Sequence, residues 1–151
     1  MNMYKAIVVG TDGSDRATAA VGKALTLAKM VGARLHVVHA VRPAVIGTEF
    51  VDPSGEVMTQ HDMRQRGARI CAEVVTKAKG EGVSADAYNV DGDPAEALIR
   101  VAQDVDADLV VLGNRGMSGA KRLVLGSVPN KVSHRCPCSV LIVNTDGLRP
   151  G

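Results

Sequence analysis

Aromatic side chains are nearly missing from this chain of 151 residues. Tyr4, Phe50 and Tyr88 are all it has, and tryptophan is absent. A surface that stacks unpaired bases has no material here. An excess of one charge is lacking too. Lys and Arg number 18 against 16 Asp and Glu, a formal net charge of +2, and the charges are spread along the sequence. Without a strong basic field, nucleic acid is not an expected partner. Long hydrophobic runs are also lacking. None approaches the roughly 20 residues that span a bilayer, so no membrane association is expected. The opening "MNMYKAIVVGTDGSD" lacks the shape of a secretory signal.

Cysteine is scarce and odd in number: Cys71, Cys136 and Cys138. That fits reduced thiols in a cytoplasmic protein rather than a disulfide framework. "HRCPC", His134 to Cys138, groups soft ligands, but no second CxxC or His pair completes a structural zinc site. It reads as a helix end, a proline stop and a strand start.

The chain is rich in Val, Leu, Ile, Ala and Gly, and its length suits a single domain over residues 1–151. "YKAIVVG" is a β-branched apolar run, read as a strand ending at Gly10. After the turn "TDGSD", Ser14 or Asp15 can cap a helix. Its stripe is Ala17, Ala20, Val21, Ala24, Leu27, Ala28 and Val31, and Gly32 stops it. "ARLHVVHAV" is the second strand. From residue 42 to 56, Pro43, Gly47, Pro53 and Gly55 break the pattern, and a mobile loop is expected.

Met63, Gly67, Ile70, Cys71, Val74 and Ala78 make a second helical stripe, and "VSADAYNV" a third strand. "GDPAEA" marks a helix start, with Asp93 as cap, Pro94 in the first turn and Glu96 as capping-box partner. Leu98, Ile99, Ala102 and Val105 give it an inner face. "ADLVVLG" is the fourth strand. A helix follows from about Ser127 to about Arg135, then "SVLIV" as the fifth strand, and residues 145–151 read as a frayed tail.

Strands alternating with helices predict an α/β fold: an open five-stranded parallel sheet, helices on both faces. With strand order 3-2-1-4-5, the winding reverses between strands one and four, where ligands bind in such sheets. The two loops there are "GTDGSD" and "GNRGMSGAKRLVLGS". Glycine lets backbone N–H groups approach an anion, and a helix N-terminus adds free donors and partial positive charge. Gly113 and Gly116 at the strand end, with Gly126, Ser127 and Val128 opening the helix, therefore form a candidate phosphate cradle. Neither a Walker A loop nor the G-x-G-x-x-G fingerprint is present.

Gly113-x2-Gly116-x9-Gly126-Ser127 resembles the nucleotide-binding motif of the universal stress protein family. The likeness covers nearly the whole chain: "IVVGTDGSD", "LHVVHAV", "GDPAEALIRVAQDVDADLVVLGNRG" and "LGSVPNKVSHRCPCSVLIV" resemble successive family segments. It implies an adenine nucleotide alpha hydrolase-like arrangement and the ATP-binding branch. It also implies roles: Gly10, Thr11 and Asp12 beside adenine and ribose, and Ala40 with its backbone on the adenine edge. Gly113, Arg115, Gly116, Gly126, Ser127 and Val128 would hold ribose and phosphates. Asp12 would face a ribose hydroxyl or a Mg²⁺ or Mn²⁺ ion carried by ATP; from the residues alone it is a turn or capping aspartate. Many family members carry Pro or Ala where Gly10 stands.

No residue stands out as a catalytic base, and His39 and His134 are candidates only by type. The expectation is a regulator that binds nucleotide and hydrolyses it slowly if at all. The rival readings are a sensor of AMP or cyclic AMP, and a nucleotide-free structural or chaperone-like dimer. The resemblance also implies a homodimer through the last strand, with Val140, Leu141, Ile142 and Val143 at the contact, since an apolar edge invites pairing.

Overall fold

A computed structural model of the chain describes residues 3–42, 50–51, 54–114 and 125–145. The elements follow in order: β1 (Ala6–Gly10), α1 (Asp15–Val31), β2 (Arg34–Val41), β3 (Phe50–Val51), β4 (Val57–Met58), α2 (Gln60–Gly80), β5 (Ala85–Asp91), α3 (Pro94–Asp104), β6 (Leu109–Gly113), α4 (Ser127–Arg135) and β7 (Ser139–Val143). Five of the strands form a parallel sheet in the order β5-β2-β1-β6-β7. This is the order expected, with β5, β6 and β7 as third, fourth and fifth strands. The winding reverses between β1 and β6.

Alternation along the buried strands divides the core between two faces. Ile7 and Val9 of β1, Leu35 and Val37 of β2, and Leu109 and Val111 of β6 pack under α1 and α2. Val8, Val38, Val110 and Leu112 point the other way, under α3 and α4. Small residues suit this close helix–sheet packing: Ala20, Ala24 and Ala28 of α1 are buried on the first face, and Ala95 and Ala102 of α3 on the second.

The helix ends follow local chemistry. Ser14 caps α1 by accepting from the Ala17 N–H, and Gly32 closes it in the left-handed region at φ 70°. The reading of α3 is right in part. Asp93 accepts from the Glu96 N–H and Pro94 opens the helix. The Glu96 carboxylate does not return to the cap, because Lys131 at 3.0 Å and Arg135, both on α4, hold it. A reciprocal capping box forms instead at α2, between Thr59 and Asp62, which the sequence reading missed.

Two further expectations change. Part of the segment from 42 to 56 is ordered, since β3 and β4 pair antiparallel, Phe50 with Met58 and Val51 with Val57. Residues 43–49, 52 and 53 of that loop lie outside the described residues. Thr145, placed in the tail, is buried, and its N–H and Oγ1 both donate to Asn114 Oδ1, at 2.9 and 2.7 Å. The rest of the expected tail, 146–151, lies outside the described residues. No described helix is long and apolar enough to cross a membrane.

Candidate functional site

β1 and β6 lie side by side and end at the same edge of the sheet. A cavity of about 520 Å³ opens between them at the carboxyl edge of the sheet. That is within the size of small-molecule sites. Its lining includes Gly10, Thr11 and Asp12 after β1, Ala40 on β2, Gly113 at the end of β6, and Gly126, Ser127 and Val128 at the start of α4. Eight of the ten expected site residues therefore meet in one place. Arg115 and Gly116 lie outside the described residues.

Strand geometry places Ala40. The Val38 carbonyl faces β1 and accepts from the Thr11 N–H at 2.9 Å, while the Val41 carbonyl faces the other side and accepts from the Gly92 N–H. Backbone groups alternate along a strand, so the N–H and C=O of Ala40 face the β1 side. β1 pairs with β2 only as far as Gly10 opposite Val38. Ala40 thus presents a donor and an acceptor to the cavity, with no described strand beside them.

The loop after β1 is held by its own side chains. The Gly13 N–H donates to Thr11 Oγ1 at 3.2 Å and the Ser14 N–H to Asp12 Oδ1 at 2.9 Å. Asp12 is thus a turn aspartate and also a cavity residue, whose Oδ2 has no hydrogen-bond partner among the described residues. Gly10 is packed rather than open. An added Cβ would meet Leu98 Cδ2 at 3.1 Å, a contact that Leu98 must yield to slightly.

The far wall is the N-terminus of α4. Gly126 is its N-cap at φ −60°, ψ 161°, with no side-chain cap. Any residue adopts that conformation, so the backbone alone does not demand glycine there. A helix leaves its first N–H groups without intrahelical partners. Those of Ser127 and Val128 have no backbone partner among the described residues, and Pro129 has none to satisfy. Two amides, the Ser127 hydroxyl and the helix dipole are therefore gathered at one wall. The Gly126 N–H donates to the Asn114 carbonyl at 2.9 Å, fixing the helix start to the end of β6. On the outer side, Lys131 reaches Asp93 at 3.4 Å as well as Glu96, tying α4 to the first turn of α3.

The sequence reading overlooked other lining residues, among them Val38, Arg42 and Leu98. Two carried a signal. Val38 and Arg42 lie two residues either side of Ala40, on the same face of β2 and its extension. His39, which faces the opposite side, and His134 are absent from the described lining. The Nδ1 of His39 bonds Asn89 Oδ1 at 3.0 Å, and that of His134 bonds the Asn130 carbonyl at 2.8 Å. Asp12 and Arg42 are the charged residues among the described lining. Among the described residues, no three His, Cys, Asp or Glu side chains are placed to hold a metal.

The sequence profile of the universal stress protein family matches residues 3–144. The chain belongs to the universal stress protein family. Universal stress protein YxiE of Bacillus subtilis is 34% identical over 93% of this chain and 99% of its own length. Universal stress protein Rv1636 of Mycobacterium tuberculosis is 36% identical over 96% of this chain and 99% of its own. Among solved structures, a universal stress protein in complex with cAMP superposes with a TM-score of 0.73 at 33% identity, over 95% of this chain and 99% of that one. The chain thus shares both the sequence pattern and the fold of a universal stress protein.

Proposed function

We propose that this universal stress protein is an adenine-nucleotide-binding regulator, with ATP as its preferred ligand. The observation that carries the reading is the convergence of the α4 N-terminus, Gly113 and the cavity-facing backbone of Ala40 on one cavity. Adenine needs a paired donor and acceptor, which Ala40 offers. Phosphates need N–H groups at close approach, which Ser127 and Val128 offer, with no Cβ on the neighbouring Gly126 to stand in the way. Between them Asp12 Oδ2 can accept from a ribose hydroxyl. The connection from Gly113 to Gly126 is long enough to leave room for a triphosphate.

A metal fits only as a passenger. Asp12 is the one carboxylate in the described lining, and magnesium is commonly held by one or two carboxylates together with substrate phosphates. Mg²⁺ or Mn²⁺ would therefore arrive with ATP and leave with it. Phosphoryl transfer also needs a group to position the nucleophile. We read the protein as a binder whose hydrolysis, if any, is far below the roughly 1–100 s⁻¹ of working kinases.

Cyclic AMP is the second reading, favoured by the complex of the structural relative at 33% identity. Acid extraction of the purified protein and chromatography of the extract decide between the two. ATP or ADP supports the first reading, and cyclic AMP the second. An empty extract, with no binding of either added nucleotide in calorimetry, contradicts both and leaves the nucleotide-free dimer.

Assembly belongs to the same proposal. β7 is an edge of the sheet, paired with β6 on one side, and Leu141 on it is 40% exposed. Val140 and Ile142 turn inward against the α3–α4 core. A homodimer formed here would join through the β7 backbone and Leu141, and nucleotide state would act on partners through that pair.

A further inference from the structure

The turn between α4 and β7 brings two thiols together, at the opposite end of the sheet from the nucleotide cavity. Cys136 Sγ and Cys138 Sγ are 3.6 Å apart, as a weak S–H···S contact. We propose that Cys136 and Cys138 are a redox-modification site that closes into a reversible intrachain disulfide by exchange with a small-molecule disulfide such as oxidised glutathione. A disulfide needs its sulfurs about 2.05 Å apart, so closure asks for a movement of about 1.5 Å, within reach of side-chain rotation.

Three observations support the pair as a unit. Both sulfurs belong to half-buried residues, and the intervening Pro137 and following Ser139 are exposed, so a small disulfide can reach them. Cys71, the remaining cysteine, is fully buried against β5, with Sγ 4.0 Å from the Tyr88 carbonyl, and cannot compete. Among the described residues, no third His, Cys, Asp or Glu joins the two sulfurs to make a metal site, and the Nδ1 of the nearby His134 is engaged with its own helix.

The chemistry balances without further reagents. Cys136 gives its proton to solvent and attacks one sulfur of oxidised glutathione. A glutathione thiolate leaves and takes up a proton. Cys138 then loses its proton, attacks Cys136 Sγ and displaces the second glutathione. Two protein thiols are oxidised and one small disulfide is reduced to two thiols. Burial, then the adjoining Cys136 sulfur, push the Cys138 thiol up to about 12, which makes Cys138 the resolving sulfur. The ring closed across one proline is tight, and strained disulfides are readily reduced, as a switch requires.

The test treats the intact protein and its Cys138→Ser and Cys136→Ser variants with excess oxidised glutathione. Remaining thiols are then blocked under denaturing conditions and intact mass is measured. The wild type should lose two hydrogens, keep one blockable thiol, map to a Cys136–Cys138 link within one chain, and recover fully in dithiothreitol. Cys138→Ser should stop at a stable glutathione adduct on Cys136, and Cys136→Ser should react far more slowly. A wild type that carries the same stable adduct as Cys138→Ser overturns the proposal, because the pair then fails to close. So does a link between two chains, or a failure of both wild type and Cys138→Ser to react.

Discussion

The N–H of Gly126 donates to the carbonyl of Asn114 at 2.9 Å, so the residue before α4 is tied to the residue after β6. Asn114 does more at this junction. Its N–H donates to the Val143 carbonyl at 3.0 Å, and its side chain accepts twice from Thr145. One residue thus joins the ends of β6 and β7 and the start of α4. Asn114→Ala keeps the backbone bonds but leaves the buried Thr145 hydroxyl and N–H without their acceptor. Leaving a buried group unpaired costs about 1–3 kcal/mol. Denaturant unfolding should show a loss of that size, and nucleotide affinity should fall with it. A loss of affinity without a loss of stability would place Asn114 on the ligand instead.

A second close relationship fixes α2. A Cβ on Gly67 would stand 2.4 Å from both His39 Nδ1 and Asn89 Oδ1. Neither atom is free to move away. Asn89 Nδ2 donates to the Arg64 carbonyl at 2.8 Å, which turns Oδ1 toward His39 and makes Nδ1 of His39 the protonated nitrogen. Gly67→Ala is a good helix substitution on propensity alone. It should nonetheless destabilise, because overpacking costs about 1–3 kcal/mol. Chemical denaturation measures this, and an unchanged or raised midpoint would show that α2 slides freely.

The buried imidazole of His36 and the half-buried one of His39 predict a response to mild acid. Burial holds both His36 and His39 below the ordinary histidine value of 6.5, against the pull of Asp86 on His36 and of the Asn89 bond on His39. The unfolded chain then takes up protons that the folded chain refuses. Stability should be level above about pH 6.5 and fall as pH drops below it, until the folded imidazoles titrate. Urea midpoints at pH 7.5 and 5.5 test the sign. His36→Gln should flatten part of the difference. A midpoint that rises on acidification would contradict it.

The edge at β7 predicts assembly. Leu141→Lys puts a charge on the exposed side of an otherwise apolar edge. Light scattering should report a dimer for the wild type and a monomer for the variant, with the same circular dichroism. An unchanged mass in a folded variant removes this strand from the contact.

The sheet was legible in the sequence because strands buried on both faces are nearly continuous apolar runs. Ser14, Asp93, Pro94 and Gly32 were legible as helix punctuation because each acts on its own neighbours. Glu96 was misread for the complementary reason. Its local partner lost to Lys131 and Arg135, which lie far along the chain and come near only once α4 has packed on α3. Thr145 was placed in a tail because nothing near it in sequence announces Asn114 as its partner. The cavity walls from β1, β6 and α4 came from the motif and the switch-point rule together, and that from β2 at Ala40 from the family resemblance. Arg42 escaped because an exposed arginine after a strand looks like any solvated charge.

Gly126 tests the central claim most directly. Its backbone conformation suits any residue, and aspartate is a better helix N-cap than glycine by a few tenths of a kcal/mol. Gly126→Asp should therefore melt at the wild-type temperature or slightly above it. The same carboxylate would stand beside bound phosphates, and like charges brought together cost several kcal/mol, which is about a hundredfold or more in affinity. Ser127→Ala gives the milder case, about tenfold to a hundredfold for one hydroxyl donor to a charged acceptor. Calorimetric titration of ATP into the wild type and Gly126→Asp, with thermal melts alongside, is the decisive measurement. The account predicts ATP binding to the wild type and its near loss in a variant at least as stable. Equal ATP affinity in the two would contradict it and place the phosphates away from the N-terminus of α4.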